Sequence, residues 1–461
     1  MKEPQRGFFS FRQKCNIIHG FFYNFVFFKQ EIISIMPNFI DLFAGAGGLS
    51  EGFIKAGYTP IAHVEMKRDA CNTLKTRAAF HYLDANNRLD IYENYLRNKQ
   101  EGTDGSALWN LVPAEVTNKV IQAAIGEDTM PGLIEQIEQL AGDRNLDLII
   151  GGPPCQAYSV AGRARLGEKV NQDPRNFLYL YYVQFIDHFR PKMFVFENVT
   201  GIQTARGGEP FRDLQRRVRA LGYEIEAREQ IASNFDVLQH RRRMIIVGWR
   251  LQDDDGNTTN YHYPDLHPHP TQYQIRRDLF SALPSRRSGE GKLCEAVAYT
   301  RPAEEMRYMT DTGIRSTLGF TTQHVARFNN PDDREIYDIA VKRWQNGERL
   351  NYNTLPPRLQ KHKNKQSFLN RFCVVDPNGC CHTVVAHIAM DGHYYIYPTE
   401  QSTIDNARSI TVREAARIQS FPDDYYFEGS RTSAFMQIGN AVPVMMAYNI
   451  AEAIRQQIEE E

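Results

Sequence analysis

No Cys-x-x-Cys pair occurs in this chain of 461 residues, and its seven cysteines are odd in number. Both facts argue against a disulfide framework and for a reducing compartment, which points to the cytoplasm. Cys373, Cys380, Cys381 and His382 lack the intervals of a zinc site, so no metal is expected. Long apolar runs are missing too. The uncharged window from Cys15 to Phe28 is too short to cross a bilayer and has no small-residue cleavage site, so neither a membrane span nor a cleaved leader is expected. Excess charge is the last absence. The 54 Lys and Arg nearly cancel the 55 Asp and Glu, whereas chains that bind polyanions usually run basic. Any attraction for phosphate must then be local. Residues 281–380 hold sixteen Lys and Arg against eleven Asp and Glu, with Arg358, Lys361, Lys363 and Lys365 gathered about His362. Such a run can track phosphates or simply sit in water.

What the chain has is a series of strand ends that carry chemistry. Phe39 to Leu42 reads as a buried strand, Phe43 to Gly48 as a glycine turn, and a helix follows from about Leu49. The next apolar run ends at Glu65, twenty positions after Gly45, a spacing that suits a carboxylate hydrogen-bonded to ribose hydroxyls. The run Leu146 to Ile150 then delivers Gly151-Gly152-Pro153-Pro154-Cys155-Gln156, a rigid turn that presents a thiol where open α/β sheets bind ligands. Met193 to Phe196 ends in Glu197, where burial against apolar neighbours would raise the carboxyl pKa and make it a proton donor. Gln239, Arg241 and Arg243 precede another apolar run and share one face by the two-residue period of a strand. Each string also has a plainer reading on its own: a strand-to-helix turn, a structural thiol, a solvated glutamate, a solvated basic cluster.

Taken in order, these strings resemble the C5-cytosine DNA methyltransferases. Arg413-Glu414-Ala415-Ala416-Arg417-Ile418-Gln419-Ser420-Phe421-Pro422 and Gln437-Ile438-Gly439-Asn440-Ala441-Val442-Pro443 complete the match over about residues 37 to 455. The resemblance implies an α/β fold, a Rossmann-like S-adenosylmethionine-dependent methyltransferase sheet with a second, smaller target-recognition domain. It implies that Cys155 adds to C6 of a flipped cytosine, that Glu197 serves N3, and that Arg243 or Arg241 faces O2. It implies S-adenosylmethionine as cofactor, held by Phe43, Gly45, Gly48, Glu65, Met66, Pro154, Leu178, Asn440 and Val442. Met66 stands where an aromatic residue often follows the ribose carboxylate, and Ala161 where a serine is common. Gly126-Glu127-Asp128 is the candidate adenine-contacting acidic segment. The implied partner is double-stranded DNA, with a companion restriction endonuclease acting on the same site and no obligate protein partner. RNA cytosine methylation is the nearest rival. A dinucleotide oxidoreductase would explain the glycine turn and Glu65 but leave Cys155, Glu197 and the arginines idle, while a silent DNA-binding relative would have lost the thiol or the carboxylate.

The organisation expected is an N-terminal extension (1–36), a catalytic and cofactor-binding domain (37–250), a target-recognition domain (251–407), and a hinge and C-terminal segment (408–461) that returns to the catalytic domain. Functional sequence is expected to begin at Met36. Residues 78–145 read as a polar, mostly helical insertion, and His382 to Pro398 as two strands joined at Asp391-Gly392. Ala447, Ile450, Ala451 and Ile454 mark the buried face of a final helix.

Overall fold

The computed structural model describes residues 36–154 and 174–460. Cys155, Gln156, the basic loop that follows them and the N-terminal extension up to residue 35 lie outside the described residues. In chain order the first domain runs β1 (Asn38–Leu42), α1 (Gly48–Lys55), β2 (Thr59–Glu65), α2 (Arg68–Ala85), α3 (Leu89–Asn98), β3 (Val120–Gln122), α4 (Met130–Ala141), β4 (Leu148–Gly151), α5 (Leu178–Phe189), β5 (Met193–Asn198), α6 (Glu209–Ala220), β6 (Tyr223–Ile231) and β7 (Arg242–Arg250). The sheet order is β3-β2-β1-β4-β5-β7-β6. All neighbours are parallel except the β5–β7 and β7–β6 pairs.

Continuous apolar strands are what a sheet covered on both faces requires. On one face Ile40, Leu42, Ile149, Phe194 and Phe196 meet Leu133 and Ile137 of α4, Tyr182 and Phe185 of α5, and Leu214 and Val218 of α6. On the other, Phe39, Ile150, Val195 and Ile245 meet Leu49 and Phe53 of α1. Each such side chain removed from water contributes about 1.5–3 kcal/mol before the entropy of ordering it is counted.

The chain order reverses at β1 and β4, which lie side by side with Leu42 opposite Gly151. That switch point leaves a crevice at the carboxyl ends of the strands. The Phe43–Gly48 turn leaves from β1 and the Gly152-Pro153-Pro154 turn from β4.

Past Arg250 the sheet stops. Helix α7 (Pro331–Gln345) packs Ile336, Tyr337 and Val341 on Tyr352, Leu355, Phe372 and Val374. A second core joins Ile275, Leu279, Met309 and Val384 to Val412, Ala416, Phe421 and Ile438, so the 251–407 region shares its interior with the C-terminal segment. That segment contains α8 (Val412–Ile418), α9 (Arg431–Asn440) and α10 (Val444–Glu460). The four residues expected to face inward on α10 are fully buried against Phe39 and Phe53.

One expectation is corrected. His382 to Pro398 is not a hairpin: Cys381–His382 pairs in parallel with Gln239–His240, a short 3-10 helix spans Ala386–Ala389, and Ile396 bridges Val374 and Ser409. Val384 and Val385 donate their N–H groups to Gln239 Oε1 and Tyr395 Oη instead of to a partner strand. The 78–145 stretch is mostly helical, as its sequence suggests. It supplies the edge strand β3, and Lys99 places its ammonium 3.0 Å from Glu428 Oε2, both side chains buried. Arg77 of α2 similarly bridges Glu51 of α1 and Asp424 at 2.5 and 2.7 Å. Burial alone would raise the Glu51 pKa, but Arg77 and His81 hold it well below the ordinary carboxylate range.

Candidate active site

The turn after β1 is bent by positive φ angles at Phe43 (59°), Gly45 (56°) and Gly47 (81°). Glu65, at the end of the neighbouring β2, accepts from Gly45 N at 2.9 Å through Oε2 and from Lys67 N at 2.8 Å through Oε1. Each oxygen of a carboxylate has room for a second donor, so the side chain that fixes the turn can also take ribose hydroxyls. The β-position of Gly45 faces open space, while that of Gly48 is closed by the Val442 carbonyl. Phe43 is half-buried, Met66 is 60% exposed, Leu178 opens α5 half-buried, and Asn440 ends α9 exposed. The acidic segment Gly126-Glu127-Asp128 follows β3, whose Gln122 lies opposite Glu65, with Glu127 and Asp128 exposed.

At the end of β4, Pro153 and Pro154 line a small hollow with Asn176, Tyr179, Phe196 and Asn198. Across it, at the end of β5, Glu197 does not sit among apolar walls as the sequence suggests. Its Oε1 is 2.7 Å from Arg243 Nε, and both side chains are largely buried. Oε2 lies towards Gly152, where a β-carbon would stand only 2.8 Å away. A side chain at 152 would therefore have to displace the Glu197 carboxylate, a coupling that sequence reasoning missed because nothing local signals it.

The expected row of donors divides. Arg241 is buried and donates through Nη1 to Val384 O at 2.7 Å, with Gly439 O at 3.4 Å. Gln239 is buried beside it, donating to Gln419 Oε1 at 2.7 Å and accepting from Val384 N. These two tie the 251–407 region to the C-terminal segment. Arg243 alone of the three turns to Glu197, because Gln239–His240 pairs with Cys381–His382 in a small separate sheet and the seven-stranded sheet takes the chain up only from Arg242. The period-2 expectation fails at that break.

Burial also sorts the cysteines. It pushes the Cys71 thiol up to about 12 and Cys380 up to about 11, and raises Cys294, Cys373 and Cys381 as well. None of these five is an activated nucleophile. Among the described residues no group of three or more His, Cys, Asp or Glu side chains could hold a metal, and no helix is long and apolar enough to cross a membrane.

The sequence model of the C-5 cytosine-specific DNA methylases matches residues 37–98 and 126–456. The chain belongs to that family. As such it is a DNA cytosine-5 methyltransferase of the type II, restriction-modification kind. The methylase is 40% identical over 446 residues to the type II methyltransferase M.Bpa9945I of Bacillus paralicheniformis, covering 90% of this chain and 98% of the relative. It is 29% identical to M.AgeI of Thalassovita gelatinovora over 90% and 98% of the two chains. A crystal structure described as a prophage-encoded DNA modification methyltransferase of E. coli shares the fold at TM-score 0.55, with 20% identity and 91% and 99% coverage. The family match skips residues 99–125, which include Lys99 and β3.

Proposed function

We propose that the methylase takes its methyl group from S-adenosylmethionine and transfers it to C5 of a cytosine flipped out of duplex DNA, with Cys155 as the nucleophile. The observation that carries this reading is the Glu197–Arg243 pair beside the Gly152-Pro153-Pro154 turn. The cofactor fits the residues present: Gly45 leaves open space at its β-position, and Glu65 keeps unused acceptor capacity beside it. Phe43, Gly48, Glu65, Met66, Pro154, Leu178, Asn440 and Val442 would hold it. Bound there, it supplies an electrophilic methyl on a sulfonium.

The rest of the work belongs to this chain. Cys155 Sγ adds to C6, forming a carbon–sulfur bond and moving a ring electron pair towards N3 and O2, which makes C5 nucleophilic. Glu197 Oε2 faces the turn that leads to Cys155, while Arg243 holds Oε1; together they serve N3 and O2 as charge develops there. After methylation, loss of the C5 proton restores the ring and expels the thiolate. Arg241 acts through the backbone it braces, as a positioning residue.

The test is tritium transfer from labelled S-adenosylmethionine to DNA, with sites mapped by bisulfite sequencing of DNA from expressing cells. Cys155→Ser abolishes transfer, and wild-type protein is trapped covalently on a duplex bearing 5-fluorocytosine at the mapped site. Full activity of the serine variant overturns the mechanism, and label entering RNA but not DNA selects the rival substrate. A companion endonuclease is proposed on the same footing, and it would fail to cut the mapped site once methylated.

A further inference from the structure

Phe368 combines two properties that a bulky aromatic residue seldom shows: φ is +54°, and 65% of its surface is exposed. The left-handed region is sterically poor for such a side chain, and its ring gains nothing from packing while it faces water. The loop around it nevertheless fixes it there. Arg371 donates through Nε to Phe368 O at 2.9 Å and through Nη2 to Asn364 O and Ser367 O at 2.8 and 2.9 Å. Asn364 Oδ1 accepts from Gln366 N and Ser367 N, both at 3.0 Å. Tyr352 N donates to Leu369 O at 2.7 Å, and the Arg371 guanidinium lies 4.4 Å from the Tyr352 ring centroid. A strained residue held by so many bonds is over-determined, and such residues cluster at sites of action.

Charge says what the ring meets. Arg358 is paired with Glu335 and Lys361 with Asp332. Lys363 and Lys365, which precede Phe368 in this stretch, are exposed, and among the described residues neither lies within ion-pair distance of a carboxylate. An exposed ring three and five residues after two unneutralised cations suits a polyanion with flat apolar faces, which is a nucleic acid. The loop is also joined to the catalytic rim. Tyr394 Oη donates to Asn370 Oδ1 at 3.2 Å, its ring lies 5.8 Å from that of His382, and the next residue, Thr383, donates to His240 O at 2.8 Å. His240 is three residues from Arg243.

We propose that Phe368 is a preformed wedge that enters the base stack of duplex DNA at the target site, with Lys363 and Lys365 on the flanking phosphates. The proposal rests on duplex DNA being the substrate. A wedge that is already rigid loses little conformational entropy on insertion, which gives the strained loop a function.

The full-length protein is assayed on a short duplex carrying the bisulfite-mapped site, with KM for DNA and kcat measured separately and 2-aminopurine placed next to the target cytosine. Phe368→Gly removes the ring and relieves the φ strain, so it melts at or above the wild-type temperature while KM rises about tenfold and the 2-aminopurine signal falls. Phe368→Trp keeps KM within about threefold of wild type, since a larger ring still stacks. Lys363→Gln and Lys365→Gln each lower the salt slope of binding by about one. An unchanged KM and unchanged 2-aminopurine signal in the glycine variant overturn the wedge while leaving methylation intact. A wild-type protein that labels no DNA at all overturns the functional reading first, and the wedge with it.

Discussion

Gly48 and Val442 approach so closely that a β-carbon on Gly48 would lie 2.3 Å from the Val442 carbonyl oxygen. That contact seats the C-terminal segment on the first turn of α1, directly behind the crevice. Gly48→Ala must push backbone from backbone, so we expect a loss of about 1–3 kcal/mol together with weaker S-adenosylmethionine binding. Gly45→Ala serves as the contrast. Its β-position meets no protein atom, so its stability loss comes only from the positive φ, at about 1 kcal/mol, while its methyl group enters space the cofactor would take. Thermal melts check the contrast and calorimetric titration the loss of cofactor binding in both; equal melting of the two variants would show that the Gly48 contact does not matter.

Arg241 and Arg243 should fail in different ways. Arg243→Ala unpairs the largely buried Glu197 carboxylate and so also lowers stability, but its mark is kcat, which falls about 10²- to 10³-fold, as expected when a donor aimed at developing charge is removed. Arg241→Ala strips two buried carbonyls of a charged donor and costs about 2–4 kcal/mol of stability. Urea melts beside single-turnover kinetics separate the cases. An Arg241→Ala protein of wild-type stability with collapsed kcat would move that residue into the chemistry.

The strand ends were legible because parallel strands buried on both faces print as unbroken apolar runs, and whatever follows them stands at the crevice. The inner face of α10 was legible for the same reason, through its 3.6-residue period. Non-local partners were not. The basic run about His362 reads as free charge, yet Glu335 and Asp332 of α7, more than twenty residues upstream, claim Arg358 and Lys361. The alternating residues of 382–398 read as strands, yet side chains distant in sequence or across the fold take up their backbone donors. Arg241 shares the period of Arg243, and a single residue outside the ladder sends it elsewhere.

Lys99 gives the segment outside the family match a measurable role. Its ammonium faces Glu428 Oε2 at 3.0 Å and lies about 5 Å from the rings of Tyr95 and Tyr426. Glu428 Oε1 is already engaged by Thr76 and Tyr95. Lys99→Met leaves a buried carboxylate oxygen without its cation, which costs about 3–5 kcal/mol. Arg88→Ala, which breaks an exposed pair with Asp90, leaves the urea midpoint where it was. If Lys99→Met melts like the Arg88 variant, the segment is no brace.

His324 should set an acid limit on stability. Burial lowers its pKa to about 4, and its neutral ring fits the site: Nε2 lies 2.8 Å from Pro284 O, a pure acceptor, and Nδ1 lies 3.0 Å from Thr411 Oγ1. Because Thr411 Oγ1 also accepts from Glu414 N, its hydroxyl proton is free to donate to Nδ1, so the ring carries its one proton on Nε2. Above pH 6.5 folded and unfolded states are both neutral there and nothing is lost. As pH falls from about 6.5 to about 4, only the unfolded chain takes up the proton, and stability drops by at most about 3 kcal/mol. Below that both states are charged and the loss levels off. His324→Gln, which keeps a donor for Pro284 O, should melt at a temperature less dependent on pH across this window. A wild-type protein whose melting temperature is flat between pH 6.5 and 4.5 would show that His324 does not limit it.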